Sequence, residues 1–216
     1  MSPLIKRIFI SIISYIGNVW SYAYSHDNNG KINFVKDLLY TAWISREFKC
    51  CGEGTIICPC RSIVGGKYIS IGERCKIGLN TVLTAWSRHG CNKFSPQIVI
   101  GNDVAIGDDS HITAINRIDI GDNVLTGKKI TITDNNHGNS KQEISTIPPA
   151  RRILYSEGPV IIESNVWIGE KVTILANVRI GKNAIIGANA VVTCDIPSNS
   201  VACGIPAKVI KRYANI

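Results

Sequence analysis

An aliphatic residue recurs every six positions along most of this chain, and few folds accommodate such a step. The longest run is Ile162, Ile168, Ile174, Ile180, Ile186 and Val192, and runs in the same step begin at Ile71, Ile100 and Ile120. Neither the period of a helix nor the alternation of an ordinary strand sustains this register. Three short strands that close a triangular coil sustain it, with the repeated side chain pointing into the coil. The step predicts an all-β, parallel β-helix, in which glycine near the corners supplies the turn conformations.

The step is broken between Ile132 and Ile162 by a polar segment rich in turn residues. A long excursion from a compact repeat is typical of a functional segment, so we predict a protruding loop over residues 133–161. The segment begins with DNNHG at 134–138. A neutral imidazole at His137 could accept a proton from a hydroxyl group, with Asp134 or a backbone carbonyl holding the other ring nitrogen. The residues alone leave His137 open to two interpretations, a catalytic base or a turn residue.

The remaining histidines and the cysteines give weaker signals. His26 lies near the N-terminus, His89 lies in a second break, and His111 falls within a regular coil. A carbonic-anhydrase-like β-helix would need several histidines as zinc ligands, and these are isolated. The cysteine-rich stretch over residues 50–60 matches no usual zinc spacing. We therefore expect reduced cytosolic thiols and no metal site.

The charge pattern narrows the range of partners. The formal net charge is +8, which favours anionic partners. The cations are spread along the chain, and no basic helix with interleaved aromatics occurs, so we expect no nucleic acid. A phosphate-rich cofactor explains the cationic C-terminus better than DNA does.

The N-terminal segment combines Lys6 and Arg7 with an apolar run from Ile8 to Val19. It resembles the start of a signal peptide, but polar residues interrupt the run and no clear cleavage site follows. The run is too short to span a bilayer. We predict an amphipathic helix that packs on the domain or rests on a membrane surface, and the pattern favours packing.

Four motifs carry a resemblance to a known family: ITDNNHG at 132–138, NVWIG at 165–169, IGANAVVT at 186–193 and GIPAKVIK at 204–211. The stretch from about Ile100 to Arg212 resembles the hexapeptide-repeat acyltransferases, which fold as left-handed β-helices. It is similar in particular to the nodulation, galactoside and maltose acetyltransferases and to those of surface-polysaccharide synthesis. Cys194 stands where the family often has a lysine, so one expected cofactor charge is missing.

The resemblance implies a homotrimer with active sites between subunits, direct transfer from acetyl-CoA, and His137 as general base. It implies that Trp167 lines the pantetheine channel and that the backbone near Gly169 and Ala188 binds the pantetheine amides. The residues that it implies near the nucleotide phosphates are Thr193, Lys208, Lys211 and Arg212.

We predict three segments: an N-terminal helical segment at 1–50, a left-handed β-helix acyltransferase domain at 51–207, and a C-terminal tail at 208–216. The predicted activity is acetyl-CoA-dependent O-acetylation of a sugar hydroxyl in surface polysaccharide or glycan synthesis, in the cytoplasm near the inner membrane face. Acylation of an antibiotic or of a nucleotide-linked amino sugar is the alternative enzyme activity. A non-catalytic scaffold is the alternative from another class, because fold does not imply function.

Overall fold

The computed structural model describes residues 3–24, 26–139 and 146–214, so residues 140–145 of the predicted loop lie outside the described part. The chain divides into two compact units, Met1–Leu39 and Tyr40–Ile216. Two helices, α1 (Pro3–Ala23) and α2 (His26–Ile44), precede a short 3-10 helix at Ser45–Glu47. The predicted N-terminal helix is confirmed. Within the described residues, neither helix combines the length and the apolar character that crossing a bilayer requires.

Most of the remaining strands form the three sheets of the β-helix, and each coil passes through the first, second and third sheet in turn. The first sheet contains β1 (Cys50–Cys51), β4 (Ile69–Ile71), β9 (Gln97–Ile100), β12 (Arg117–Ile120), β17 (Val160–Ile162) and β20 (Arg179–Ile180). The second contains β2 (Ile56–Ile57), β5 (Lys76–Ile77), β10 (Ala105–Ile106), β13 (Leu125–Thr126), β18 (Trp167–Ile168), β21 (Ile185–Ile186), β23 (Ser200–Cys203) and β24 (Lys208–Arg212). The third contains β3 (Ser62–Val64), β6 (Val82–Ala85), β11 (His111–Ala114), β14 (Thr131–Thr133), β19 (Thr173–Ile174) and β22 (Val191–Val192).

The six-residue step predicts the core of this β-helix correctly. Strands within each sheet pair in parallel, apart from the antiparallel β24, and the inward residues align in register: Ile120 pairs with Ile162 and Ile162 with Ile180. Every inward residue of the predicted runs is buried, including the single polar one, Thr126, at 5% exposure. Thr126 Oγ1 accepts a hydrogen bond from the Gly107 N–H at 3.0 Å, which satisfies its buried hydroxyl oxygen. The predicted parallel β-helix is confirmed, while its left-handedness stays a prediction.

The corners are built differently from our expectation. The residue three positions after an inward side chain has a left-handed backbone, with φ between 54° and 61° in residues such as Asn123, Asn165 and Asn183. Asparagine tolerates this conformation better than most residues. The glycine directly after the inward residue is needed for another reason, since a Cβ at Gly169 would lie 2.5 Å from Ala188 N. The prediction that these glycines supply the turn conformation is wrong; they allow adjacent coils to approach closely.

The end of α2 closes the first coil. Thr41 Oγ1 accepts a hydrogen bond from the Ile57 N–H at 2.8 Å, and the Tyr40 hydroxyl accepts one from the Cys60 N–H at 3.2 Å. These side chains satisfy backbone groups that the stack would otherwise leave unpaired at its edge.

Candidate functional site

Two long insertions leave the β-helix in the described part of the chain, and both leave at the same corner. The chain departs after β6, runs through 86–96 and returns at β9; it departs again after β14 and returns at β17. Both departures follow a third-sheet strand and both returns enter the first sheet. In the third sheet, β11 lies between β6 and β14. The two insertions therefore emerge only two strand spacings apart, about 10 Å. We call this place the insertion corner.

The shorter insertion is a hairpin formed by β7 (Arg88–His89) and β8 (Asn92–Lys93). Gly90 in its turn has φ of 59°, the left-handed conformation that tight hairpin turns require. Arg88 Nε donates to the Gly90 carbonyl at 3.1 Å. The hairpin presents His89 as a half-buried side chain.

The longer insertion carries His137 on a second antiparallel ribbon. β15 (Asn136–His137) pairs with β16 (Leu154–Tyr155), and the Gly138 N–H donates to the Ile153 carbonyl at 3.0 Å. Leu154 is buried at 7% exposure and fixes the ribbon, whereas His137 is exposed. The structure thus places the predicted base at the root of the loop, on its exposed side.

Asp134 lies against the adjacent coil, whereas the sequence suggests a place beside the ring of His137. It is fully buried, and its carboxylate accepts hydrogen bonds from the N–H groups of Ile115, at 2.9 Å, and Asn116, at 2.8 Å. Asn135 Nδ2 donates to the same carboxylate at 3.0 Å. In the described part of the chain, no hydrogen bond joins Asp134 to the His137 ring. Asp134 anchors the loop to the adjacent coil, and its action on His137 stays a prediction.

The insertion corner brings a second histidine to His137. The rings of His89 and His137 have centroids 5.9 Å apart and planes inclined by 78°. The local pattern gives no sign of this pair, because His89 and His137 lie in separate breaks of the repeat. If the predicted strands are counted in groups of three from Ile71, both breaks follow a third strand. The sequence therefore indicates that both insertions leave at the same corner.

The insertion corner is rich in cations. Arg88 and Lys93 face each other across the hairpin, and Arg151 and Arg152 precede β16. A Cβ at Gly138 would lie 3.1 Å from Arg152 Cδ, so this side chain packs beside the backbone of the residue after His137. Arg152 Nε donates to the Ile147 carbonyl at 2.8 Å.

Several predicted cofactor residues lie together on the outer face of the second sheet. Register pairs Trp167 with Ile185, Ile185 with Val201, and Val201 with Lys211. Together with Leu125, which pairs with Trp167 on the other side, they form an outward row that is apolar until Lys211. Trp167 is 52% exposed, and Lys208 and Arg212 are exposed on β24. We call this row the second-sheet track.

The other predicted cofactor residues lie at corners. Gly169 and Ala188 meet at adjacent corners between the second and third sheets, and the Gly169 N–H donates to the Ile186 carbonyl at 2.8 Å. Gly169 therefore offers a ligand only its carbonyl oxygen. Thr193 is exposed at the corner between the third and first sheets, away from the second-sheet track.

Within one chain, the predicted base lies on a different side of the β-helix from Trp167 and the cations of β24. His137 lies at the corner between the third and first sheets, whereas Trp167 lies on the second sheet. In a triangular coil, that sheet is the side opposite this corner.

Desolvation shifts the pKa of two other side chains. It lowers the pKa of His111, which is exposed at the start of β11 but loses part of its hydration there, and it raises the pKa of the partly buried Cys60 thiol to about 12. All eight cysteines are free, and among the described residues no group of three or more His, Cys, Asp or Glu side chains could hold a metal ion. The buried thiols behave as small apolar side chains.

Two family models match the repeat. The one described as bacterial transferase hexapeptide (six repeats) matches residues 159–194, and the one described as hexapeptide repeat of succinyl-transferase matches residues 61–85. A protein of Escherichia coli K12, whose name assigns it to lipopolysaccharide biosynthesis as an O-acetyl transferase (WbbJ), is 36% identical over 188 residues. The match covers 85% of this chain and 89% of that protein.

Solved structures show the same fold. An N-acyltransferase of Bacillus cereus, AntD, in complex with dTDP-4-amino-4,6-dideoxyglucose and coenzyme A, aligns with a TM-score of 0.62 and 20% identity, over 89% of this chain and 91% of that one. A hexapeptide-repeat acetyltransferase of Vibrio cholerae in complex with acetyl-CoA aligns with a TM-score of 0.57 and 24% identity, over 86% and 82% of the two chains.

Proposed function

Because the chain belongs to the hexapeptide-repeat acyltransferase superfamily, we propose that it transfers an acetyl group from acetyl-CoA to a sugar hydroxyl in surface polysaccharide or glycan synthesis. The observation that carries this proposal is the match to the lipopolysaccharide O-acetyl transferase over 85% of the chain. The structural neighbours with bound CoA or acetyl-CoA support the same donor.

In this proposal His137 is the general base. Its neutral imidazole accepts the proton of the acceptor hydroxyl while that oxygen attacks the thioester carbonyl carbon. Backbone N–H groups along the groove stabilise the negative oxygen of the tetrahedral intermediate. As the intermediate collapses, the imidazolium returns its proton to the departing CoA thiolate, so His137 ends the cycle neutral. Much of the rate comes from holding both substrates in one groove.

The second-sheet track suits the donor. Its apolar row fits the pantetheine arm, and Trp167 offers a large flat surface beside it. The track runs three strand spacings from Trp167 to Lys211, about 14 Å. Lys208, Lys211 and Arg212 at its end would bind the nucleotide phosphates. Thr193 lies at the corner opposite this sheet, so its predicted phosphate contact would be to CoA held by a neighbouring chain. The Gly169 carbonyl and the Ala188 backbone would bind the pantetheine amides.

The separation of His137 from Trp167 supports the predicted homotrimer. The base of one left-handed β-helix would face the second-sheet track of its neighbour, so each site would be completed by two chains. The cations of the insertion corner favour an acceptor that carries phosphate, such as a nucleotide-linked or lipid-linked sugar. We retain the predicted segments at 1–50, 51–207 and 208–216 as the organisation of this enzyme.

For the N-terminal helix α1 we propose the membrane-surface alternative, on the pattern of its side chains. A polar stripe of Arg7, Ser11, Ser14, Asn18 and Ser21 follows helical spacing, and the opposite face is apolar. A wide apolar face with a narrow polar stripe is typical of helices that lie in the bilayer interface. Lys6 and Arg7 would favour anionic lipid, which suits a cytoplasmic enzyme at the inner membrane face.

The activity is tested by thiol release from acetyl-CoA with a panel of free, nucleotide-linked and amino sugars and chloramphenicol, with products identified by mass spectrometry. We expect acetylation of a sugar hydroxyl and a loss of at least about a hundredfold in His137→Ala. His111→Ala, a histidine away from the insertion corner, is the matched control. Acetylation of amines alone would refute O-transfer. Failure to bind CoA in calorimetry would refute an acyltransferase and leave a scaffold.

Membrane contact is tested by flotation of the full chain with vesicles that contain phosphatidylglycerol. Ile12→Asp and Ser14→Asp add the same charge to opposite faces of α1. We expect Ile12→Asp to reduce the bound fraction at least about tenfold, because burying a carboxylate in the apolar layer is costly. Ser14→Asp should bind nearly as well as the wild type. Equal binding by both variants would refute the proposed orientation.

A further inference from the structure

The ring pair at the insertion corner gives His89 a role that follows from geometry. We propose that His89 is a positioning residue for His137, holding its ring in the orientation from which it takes the acceptor proton. The inference rests on the proposed function of His137 as the base. Its main support is the perpendicular contact between the rings of His89 and His137, whose centroids are 5.9 Å apart.

His137 needs such support. It is exposed on a strand of two residues, and within the described chain its side chain makes no hydrogen bond that would fix its torsions. An exposed side chain populates several rotamers. A general base must bring one nitrogen within hydrogen-bond reach of the proton it removes. Each unproductive rotamer therefore lowers the fraction of complexes that can react.

His89 is able to give that support because its own position is fixed. It is half-buried on the hairpin, whose turn is held by the bond from Arg88 to the Gly90 carbonyl. The Phe94 N–H donates to the Ser87 carbonyl at 2.9 Å and closes the base of the hairpin. The ring of His89 thus packs against the ring of His137 and restricts its rotation.

The perpendicular arrangement is compatible with catalysis. Ring pairs of this kind are favourable without a hydrogen bond between their polar atoms. A nitrogen of His137 therefore remains available to the acceptor hydroxyl. The contact restricts the ring without consuming the group that performs the chemistry.

The first test compares His89→Ala, His89→Phe and the hairpin control Asn92→Ala in the sugar acetylation assay. We expect kcat to fall about tenfold in His89→Ala, with KM for acetyl-CoA unchanged, because the base is misplaced and donor binding is not. His89→Phe restores a ring and should recover kcat to within about threefold of the wild type. In the His137→Ala background, His89→Ala should have no further effect.

Three results would overturn the inference while the wild type remains active: an unchanged kcat in His89→Ala, no recovery in His89→Phe, or a further loss in the double variant. An inactive wild type would instead count against the proposed function. The contact itself is tested without turnover by nuclear magnetic resonance of the imidazole groups. His89→Ala should shift the ring resonances of His137, and unchanged resonances would show that the rings do not touch.

Discussion

Asp134 offers the sharpest test of how the insertion corner is built. Replacing it by alanine removes the acceptor of two backbone N–H groups, the buried one of Ile115 and the partly buried one of Asn116. A buried unsatisfied group costs about 1–3 kcal/mol and a group that water can reach costs less, so Asp134→Ala should lower the free energy of unfolding by about 1–4 kcal/mol. Asp134→Asn keeps one acceptor oxygen and should cost about half as much.

The assay is denaturant unfolding at one fixed protein concentration, because subunit association adds to apparent stability. Asp119→Ala is the matched control, since Asp119 forms an ion pair with Arg117 at the surface, at 2.8 Å. It should change the unfolding free energy by less than about 1 kcal/mol. If Asp134→Ala changed stability no more than this control but still abolished activity, our reasoning would be refuted. The bond from Asp134 to the His137 ring, expected from the sequence, would then be the better explanation.

Other variants test the donor face, the thiols and the surface charges. Trp167→Ala should raise the Kd of acetyl-CoA about tenfold in calorimetry without changing Tm, because the side chain is half exposed and contributes a binding surface. Iodoacetamide at pH 8 should modify the exposed Cys91 and spare Cys60, whose pKa burial raises to about 12, as peptide mass spectrometry will show. Hydrogen bonds from Arg74 lower the pKa of Asp103, so this pair stabilises the fold above the ordinary carboxyl pKa and loses its effect as pH falls through the lowered value. Arg74→Ala should therefore lose less Tm than the wild type on acidification below about pH 4.

The six-residue step was sufficient to predict the core, because the position of an inward side chain depends only on counting along the chain. The long insertion between Ile132 and Ile162 does not disturb the order of the strands. Both side chains point into the stack, Ile132 on the third sheet and Ile162 on the first. The step did not reveal why glycine follows the inward residue. The close approach at Gly169 involves the next coil, which is distant in sequence.

The candidate site was predicted only in part, for a related reason. His137 can be recognised from the sequence, because it lies in a break of the six-residue step and in the motif at 132–138. The contact with His89 and the hydrogen bonds of Asp134 join segments that become neighbours only when the coils are stacked. Residues that meet across coils cannot be paired from a local pattern unless each break is first assigned to a corner.

Because both insertions lie at one corner, the residues proposed to recognise the donor are separate from those proposed to act on the acceptor. The proposed donor residue Trp167 belongs to a coil without an insertion, where the spacing of the core fixes its position, and Lys211 lies on the antiparallel strand β24, which pairs with β23. His137, which is proposed to meet the acceptor, and His89, which is proposed to position it, belong to segments whose length can change without disturbing that spacing, because longer loops add little closure entropy. A β-helix of this design can exchange one acceptor for another by replacing two surface segments, while its dependence on the same acyl donor stays unaltered.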